Sequence, residues 1–448
     1  MSNNLAIMNS ENGDLAQQPY FVPAASDLKR ISPAELTSLL LSFRRPAIGF
    51  AENANEWQRR SVQAWHAVAR AWENWQFPEA EVVLRRLQAN TRMSLPVLRE
   101  SIANHFREIT ADAINAWLDE VREARADEPD AMKYPSLVFV IASGNIPGAA
   151  LQQVVQLSLL GIPTLVKSAS AEPDFMPAVF SALAQQDAEV ASRLMALSWP
   201  RENIAASDAV LALSPQVIAL GDDGTMQQLH VKTGGTLMPF GDRFSAAIIH
   251  AKSARVQTLR KLVYDYLMFD GKGCLSPQVV TVIAEQWQEV EQLATHFAGI
   301  LAEDSAKWPA GNWSASEHAL IQQWRGEWQA RRAAGENIVL YQPADTSWTV
   351  VAAEEFDLEQ RIAFRAVRLL WVKSFDDVML ILKNYSTKIQ ALAVEIEDHE
   401  HAQLVLDLDE QEEVLGRIIC EPGALQRPAF AWMAINKQWF ELTYGVIC

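Results

Sequence analysis

The first hundred residues beyond residue 25 carry apolar side chains at the three- and four-residue spacing of amphipathic helices. The stretch "SPAELTSLLLSF" opens with Ser32 and Glu35 in capping-box spacing, which predicts a helix start. "SVQAWHAVARAWENW" (61–75) then places valines and tryptophans on one helical face. We expect this tryptophan stripe to pack as a core face. The alternative is that it walls a site for a long apolar substrate.

At Tyr134 the pattern changes to short, continuous apolar runs bounded by turn residues, as in strands buried on both faces. The predicted strands are "SLVFVIAS", "IPTLVKSAS", "AVLAL", "VIALGDDG" and "GTLMPFG", and the predicted helices between them are "GNIPGAALQQVVQLSLL" and "EPDFMPAVFSALAQQ". Strand, helix and strand at this spacing predict an open parallel α/β sheet with right-handed crossovers. Ligands bind at the carboxyl ends of such strands, where three loops fall: 142–148, 167–170 and 221–225.

After "AAIIHA" the pattern restarts as a second α/β unit. A helix (254–269), the strand "QVVTVIAE", a helix (287–301) and an irregular tryptophan-rich piece (308–328) are followed by further strands and a helix. The expected organisation is a flexible tail (1–25), a helical region with a dinucleotide-binding domain (26–250), a catalytic domain (251–425) and a C-terminal segment (426–448) that returns to the first domain or forms an oligomer interface.

Composition and charge limit which partners the protein can bind and where in the cell it is expected. A net charge of −17 argues against binding to nucleic acid or to anionic membrane surfaces, because both attract proteins through basic patches. No signal peptide and no apolar run of membrane-spanning length is visible, so a cytoplasmic location is expected. The three cysteines (Cys274, Cys420 and Cys448) form neither a disulfide framework nor a zinc spacing.

Cys274 is the first candidate for chemistry. It follows Gly271, Lys272 and Gly273 in "FDGKGCLSPQ", a loop that lets backbone approach a ligand and offers a nearby positive charge. The alternative is a small core residue at the start of a strand. For Cys420 and Cys448 an inert role is the better interpretation.

Other polar positions are weaker signals. Asn145 follows a buried strand and could donate a hydrogen bond to an oxyanion. Lys167 ends a predicted strand, where it could bind the ribose or a phosphate of a dinucleotide, although a solvated loop lysine is the simpler interpretation. "GDDGT" precedes a helix that could hold a pyrophosphate, but its aspartates disfavour an anion. "DHEH" (398–401) is interpreted as a charged surface turn rather than a metal pair, and no metal is expected.

The order of these motifs resembles the aldehyde dehydrogenase superfamily, and within it the long-chain acyl-CoA reductase (LuxC-like fatty acid reductase) family. The stretches that carry the resemblance are "VFVIASGNIPGAALQ", "GIPTLVKSASAEP", "FGDRFSAAIIHA" and "GKGCLSPQVV". It implies an aldehyde-dehydrogenase-like α/β fold with a dinucleotide-binding sheet and a second catalytic domain. It also implies Cys274 as nucleophile, Asn145 as oxyanion donor and Lys167 at the adenine ribose. The remaining cofactor residues implied are Ser168, Ser170, Gly221 and Thr225.

Two departures from the superfamily pattern refine this expectation. Oxidising members carry a glutamate that activates water, whereas "LMPFGDRFS" has Pro239 or its neighbours at that place. A long-lived acyl-cysteine is therefore expected. NAD-preferring members often carry an acid three residues after the lysine, where this chain has Ser170 and the next acid is Glu172. NADPH is thus the favoured cofactor.

The expected function is NADPH-dependent reduction of a fatty acyl thioester, carried by CoA or a carrier protein, to an aldehyde through an acyl-cysteine. Two alternatives stay open: a cysteine acyltransferase or thioesterase without hydride transfer, and a non-catalytic scaffold of this fold. The resemblance further implies a homo-oligomer, with an acyl-transfer or acyl-carrier protein as a possible partner.

Overall fold

The computed structural model of the chain describes residues 32–49, 54–124, 134–214, 216–233, 236–360, 362, 364–409 and 418–433. The expected tail (1–25), Cys448 and most of the C-terminal segment (426–448) lie outside the described residues. In the ranges described, no helix is both long enough and apolar enough to cross a membrane.

In the described part of the N-terminal region the chain forms helices, as the apolar spacing predicts. They are α1 (Pro33–Phe43), α2 (Ala54–Glu73), α3 (Ala80–Thr91), α4 (Leu95–Arg107) and α5 (Ala111–Ala124). The predicted capping box is present, since Ser32 and Glu35 each bond the other's backbone N–H. The tryptophan stripe belongs to the core: Trp65 and Trp72 are fully buried, and Trp72 stacks on Phe106 with ring centroids 5.1 Å apart.

The first sheet is entirely parallel, with strand order β3-β2-β1-β4-β5. Its strands are β1 (Val138–Ile141), β2 (Thr164–Lys167), β3 (Leu194–Leu197), β4 (Gln216–Leu220) and β5 (Leu237–Phe240). The helices of this part are α6 (Leu151–Leu159), α7 (Phe175–Gln186), α8 (Ala188–Ala191), α9 (Ile204–Leu213) and α10 (Asp223–Thr233). Trp57 and Trp65 of α2 donate their indole N–H groups to Ser158 of α6, at 3.0 and 2.9 Å, which joins the N-terminal helices to the sheet.

Within the residues that the structure describes, the second sheet has seven strands in the order β12-β11-β6-β7-β10-β9-β8, of which only the β8–β9 pair is antiparallel. Its strands are β6 (Phe244–His250), β7 (Pro277–Ile283), β8 (Val339–Tyr341), β9 (Thr349–Ala353), β10 (Ala366–Val372), β11 (Ile389–Glu395) and β12 (Ile418–Cys420). The helices are α11 (Val256–Leu267), α12 (Trp287–Lys307), α13 (Ala315–Ala333), α14 (Phe375–Asn384) and α15 (Asp398–Asp409).

The structure corrects four local expectations. "AVLAL" is the end of α9, a helix capped by the Asn203 side chain, and not a strand. The tryptophan-rich piece is largely α13, which starts at a capping box of Ser314 and Glu317. "DHEH" forms the first turn of α15 instead of a surface turn. Strand β6, expected in the first unit, pairs with β7 and β11, so the chain changes sheets between Phe240 and Phe244.

Candidate active site

A cleft of about 600 Å³ lies where strands of the first sheet end and the Cys274 loop begins. The last residues of β1, β2, β4 and β5 all line it, as expected for the carboxyl edge of a parallel sheet. The three predicted loops meet there, and Cys274 faces them from the second sheet. A volume of this size is typical of a small-molecule or cofactor site.

Cys274 lies on a short loop between a single 3₁₀ turn (Met268–Gly271) and β7. Cys274 is partly buried, and its backbone carbonyl accepts a 3.0 Å hydrogen bond from the Ser245 hydroxyl of the neighbouring strand β6. The loop also holds Ser276, whose backbone N–H donates to the Gly273 carbonyl at 3.0 Å. Cys274 is thus held at the cleft surface by the bond from β6 and by the turn within its own loop.

The base of this loop is fixed by a buried ion pair. The Arg365 Nε donates to Asp270 Oδ1 at 2.7 Å, and both side chains are fully buried. Asp270 and Arg365 each have a positive φ, at 54° and 58°, a conformation disfavoured for residues other than glycine. The Asp270 carbonyl accepts from the Arg365 N–H at 3.3 Å, so the two unusual segments bond each other directly. Strain at both segments is offset by these contacts.

Asn145 reaches across to the cysteine loop. Its Nδ2 donates to the Lys272 carbonyl at 2.9 Å, and its Oδ1 accepts from the Ser143 hydroxyl at 2.6 Å. Lys272 is two residues before Cys274, so the amide lies beside the candidate nucleophile. An amide nitrogen carries two hydrogens, which leaves a second donor for an oxyanion. The Lys272 ammonium itself pairs with Glu317 at 3.2 Å.

Lys167, the last residue of β2, lines the cleft next to an arginine that sequence reasoning missed. Burial lowers the pKa of Lys167, and the nearby charge of Arg201 lowers it further. Arg201 also lines the cleft and donates to the Thr225 hydroxyl at 3.2 Å. Two cations at one edge of a cleft repel each other, and a bound anion would relieve this repulsion. Arg201 follows β3, a strand that the apolar pattern does not predict. The sequence therefore gives no signal that Arg201 lies at the cleft.

The other predicted cofactor residues divide into two groups. Ser170 lines the cleft, whereas Ser168 is buried beneath it and is not among the lining residues. Its backbone N–H continues the ladder to Leu197 at 2.9 Å, which turns its side chain away from the cleft. The structure therefore does not bring Ser168 to the predicted site.

Gly221 and Thr225 line the cleft at the start of α10. The Asp222 carboxylate accepts from the Thr225 N–H and hydroxyl, each at 2.8 Å, and this bonding lowers the pKa of Asp222. A carboxylate thus occupies the helix N-terminus that could have held a pyrophosphate. This agrees with the expectation that the aspartates of this loop disfavour an anion there.

Two buried titratable groups border the Asn145 loop. Burial raises the pKa of Glu172 to about 8, and its Oε2 accepts from the Gly148 N–H at 2.6 Å. Burial lowers the pKa of His105 to about 4, and its Nε2 lies 3.0 Å from the Pro147 carbonyl. Since a carbonyl only accepts, Nε2 carries the hydrogen of a neutral imidazole. The other ring nitrogen then has a lone pair and no proton to donate.

The remaining chemical candidates lie away from the cleft. Burial raises the pKa of Cys420 to about 12, with Asp265 adding to the effect, so this thiol stays protonated. His399 is exposed on α15. Across the described ranges, no three histidine, cysteine or acidic residues are grouped to hold a metal ion.

The two sheets and the cysteine loop define an aldehyde-dehydrogenase-like α/β enzyme. A succinic semialdehyde dehydrogenase from Streptococcus pyogenes, solved with NADP⁺, superposes with a TM-score of 0.62 at 14% identity, covering 87% of this chain and 85% of that one. An aldehyde dehydrogenase of Mycobacterium tuberculosis, solved with NAD⁺, gives a TM-score of 0.58 at 14% identity, with 87% and 82% covered. At such identity the likeness shows the fold.

The chain belongs to the acyl-CoA reductase (LuxC) family, whose model matches residues 60–428. A curated relative is long-chain acyl-protein thioester reductase 2 of Photobacterium leiognathi, 21% identical over 170 residues. That match spans 36% of this chain and 36% of the relative. The predicted resemblance and fold class are confirmed.

Proposed function

We propose that this protein reduces a fatty acyl thioester to the aldehyde with NADPH, through an acyl group held on Cys274. The observation that carries the proposal is the placement of Asn145 and Cys274 on one cleft, with the Asn145 amide 2.9 Å from the carbonyl of Lys272. A nucleophile beside an amide donor is what thioester attack requires. Family membership supports the same reaction class.

In the proposed reaction, the Cys274 sulfur attacks the acyl carbonyl while Asn145 and the Cys274 backbone N–H stabilise the oxyanion. One such donor is typically worth about 3–4 kcal/mol. The carrier thiolate leaves, and the acyl group remains on Cys274. In the described part of the cleft no glutamate side chain lines the wall; the lining carboxylates are Asp222 and Asp242. Loss of the acyl group to water should therefore be slow.

The residues at the first sheet suit an NADP cofactor. When bound, NADPH supplies the hydride that reduces the S-acyl carbon. Lys167 and Ser170 would hold the adenosine ribose, and Arg201 would pair with the 2′-phosphate. Glu172, the next acid after Lys167, is buried against Gly148 and is not among the residues that line the cleft. The cation pair and the buried acid both favour NADPH over NADH.

The test offers NADPH with acyl thioesters of graded chain length, on CoA and on an acyl-carrier protein, to wild type and Cys274→Ser. Loss of NADPH absorbance with stoichiometric aldehyde, absent in Cys274→Ser, is expected. Thioester cleavage that proceeds without NADPH would favour a thioesterase or acyltransferase. A role in cells that survives Cys274→Ala would favour a scaffold. The same assay compares CoA with carrier protein, and light scattering tests the proposed homo-oligomer.

A further inference from the structure

Arg243 and Cys274 occupy matching positions at the starts of two neighbouring strands. Strands β6 and β7 pair in parallel, with Ser245 opposite Pro277. Arg243 lies two residues before Ser245, and Cys274 lies three residues before Pro277. Paired strands run about 4.8 Å apart, so both residues meet at one edge of the sheet. Both line the cleft, and the Ser245 hydroxyl ties the two segments by its bond to the Cys274 carbonyl.

The Arg243 guanidinium is partly buried and, in the part of the chain that the structure describes, makes no hydrogen bond and no ion pair within 4 Å. An arginine keeps its proton in a protein, so burying its charge is costly unless an anion lies nearby. Burial lowers the pKa of Arg243, while attraction to Asp223 and Cys274 opposes that shift. Arg243 therefore lines the cleft on the strand next to the cysteine loop.

In the described segments next to the cysteine, the following charged groups have other partners or carry no charge. Asp223 bonds the Lys388 ammonium at 2.7 Å and the Asp242 backbone N–H at 2.8 Å. Lys272, in the cysteine's own loop, pairs with Glu317 at 3.2 Å. His105, on the opposite wall, is neutral, and Asp222 caps α10. Among the described cations of the cysteine loop and the start of β6, Arg243 has no carboxylate within ion-pair distance, whereas Lys272 has Glu317.

We propose that Arg243 is a further catalytic residue, whose guanidinium pairs with the Cys274 sulfur as a thiolate before acyl transfer and again when the aldehyde leaves. This inference rests on the proposed function and deepens it. No glutamate lines the described part of the cleft, and in this proposal the Arg243 cation activates the sulfur instead. A positive charge beside a cysteine favours the reactive thiolate form.

The sulfur needs no separate proton donor in either step. In the first step the thiolate electron pair forms the S–C bond, and the carrier's C–S bond breaks, its electron pair leaving as the carrier thiolate. After reduction of the S-acyl carbon, the adduct is an alkoxide bonded to Cys274. Its oxygen electrons re-form C=O, the C–S bond breaks, and the electron pair returns to sulfur. The product sulfur is again a thiolate facing Arg243.

The experiment measures alkylation of Cys274 by iodoacetamide, a neutral reagent, from pH 5 to pH 10 in the full-length protein. In Arg243→Gln the midpoint of the profile should move up by about one pH unit, and the rate at pH 7 should fall about tenfold. Arg243→Lys, which keeps the charge, should retain most of the wild-type rate. Lys252→Gln removes a surface cation that pairs with exposed Glu285, and should behave as wild type.

Alkylation needs neither thioester nor NADPH, so its outcome is separate from that of the proposed function. If the Arg243→Gln profile coincides with wild type, the proposal is wrong. That result together with a raised KM for acyl-CoA would assign Arg243 to substrate phosphate binding instead. Should Arg243→Gln be unstable by thermal melting, Arg243→Met, which keeps much of the side-chain length without the charge, takes its place. A profile shifted to higher pH than that of the folded Arg243→Lys variant supports the proposal, and a profile that coincides with that of Arg243→Lys contradicts it.

Discussion

Replacing Arg365 with methionine should destabilise the protein by breaking the buried pair that supports the cysteine loop. Methionine keeps much of the side-chain volume and removes the guanidinium. The wild-type Arg365 donates to Asp270 at 2.7 Å and to the backbone carbonyls of Trp308 and Pro309 at 2.6 and 2.9 Å. Its loss leaves a buried carboxylate and two carbonyls without these donors. Breaking such a pair typically costs about 3–5 kcal/mol.

The cost should depend on pH in a defined direction. Burial raises the pKa of Asp270, and the Arg365 guanidinium opposes that rise. In Arg365→Met the opposition is gone, so Asp270 takes up a proton more readily in the folded state than in the unfolded state. The folded variant is then favoured at low pH and loses stability as pH rises. The deficit against wild type should be larger at pH 8 than at pH 5.

Urea unfolding followed by tryptophan fluorescence measures this deficit from the midpoints, provided the slopes agree. Arg85→Met is the matched control, because Arg85 pairs with Glu81 on the surface, where both side chains are about 60% exposed; it should cost at most about 1 kcal/mol. Adding Asp270→Leu to Arg365→Met should recover part of the loss, since an apolar pair leaves no charge unpaired. A deficit below about 1 kcal/mol at pH 8 in the single variant would show that the buried pair does not stabilise the fold as expected.

Three further predictions concern the cleft. Asn145→Ala should lower kcat about 10²–10³-fold with little change in Cys274 alkylation, and equal losses in both would show that the loop has moved instead. Arg201→Gln should raise the KM for NADPH about 10–100-fold and leave the KM for NADH nearly unchanged; a similar rise for both would remove Arg201 from the 2′-phosphate. Glu172 has its pKa raised from 4.5 to about 8, so the stability it contributes is fully present below its unfolded pKa and is lost as pH rises through 8. The melting temperature of Glu172→Gln should therefore fall less between pH 5 and pH 9 than that of wild type. An identical dependence of melting temperature on pH would contradict the raised pKa of Glu172.

Much of the first sheet was predictable because its strands are short apolar runs that end at glycine, lysine or serine. The loops after β1, β2 and β4 meet at one cleft because carboxyl ends of parallel strands share an edge. Helix α9 was missed because its run of alanine, valine and leucine fits both the helical and the strand period. Only the Asn203 cap distinguishes a helix from a strand here. For α13 the capping box of Ser314 and Glu317 was readable.

The rest of the site depends on contacts between residues distant in the chain. Arg365 and Asp270 are 95 residues apart, and neither lies in a recognisable motif. Arg243 lies inside the stretch "FGDRFS", but its nearness to Cys274 follows from the pairing of β6 with β7. Ser168 was assigned to the cofactor by its neighbours, and the alternation of side chains along the extension of β2 turns it into the core.

In the proposed function, Cys274 holds the acyl group until it is reduced. Wild-type protein mixed with an acyl-CoA in the absence of NADPH should gain the mass of one acyl group on the peptide that contains Cys274, stable over minutes. Adding NADPH should remove that mass and release one equivalent of aldehyde. Recovery of fatty acid in place of aldehyde, or no acyl group on Cys274, would contradict the account.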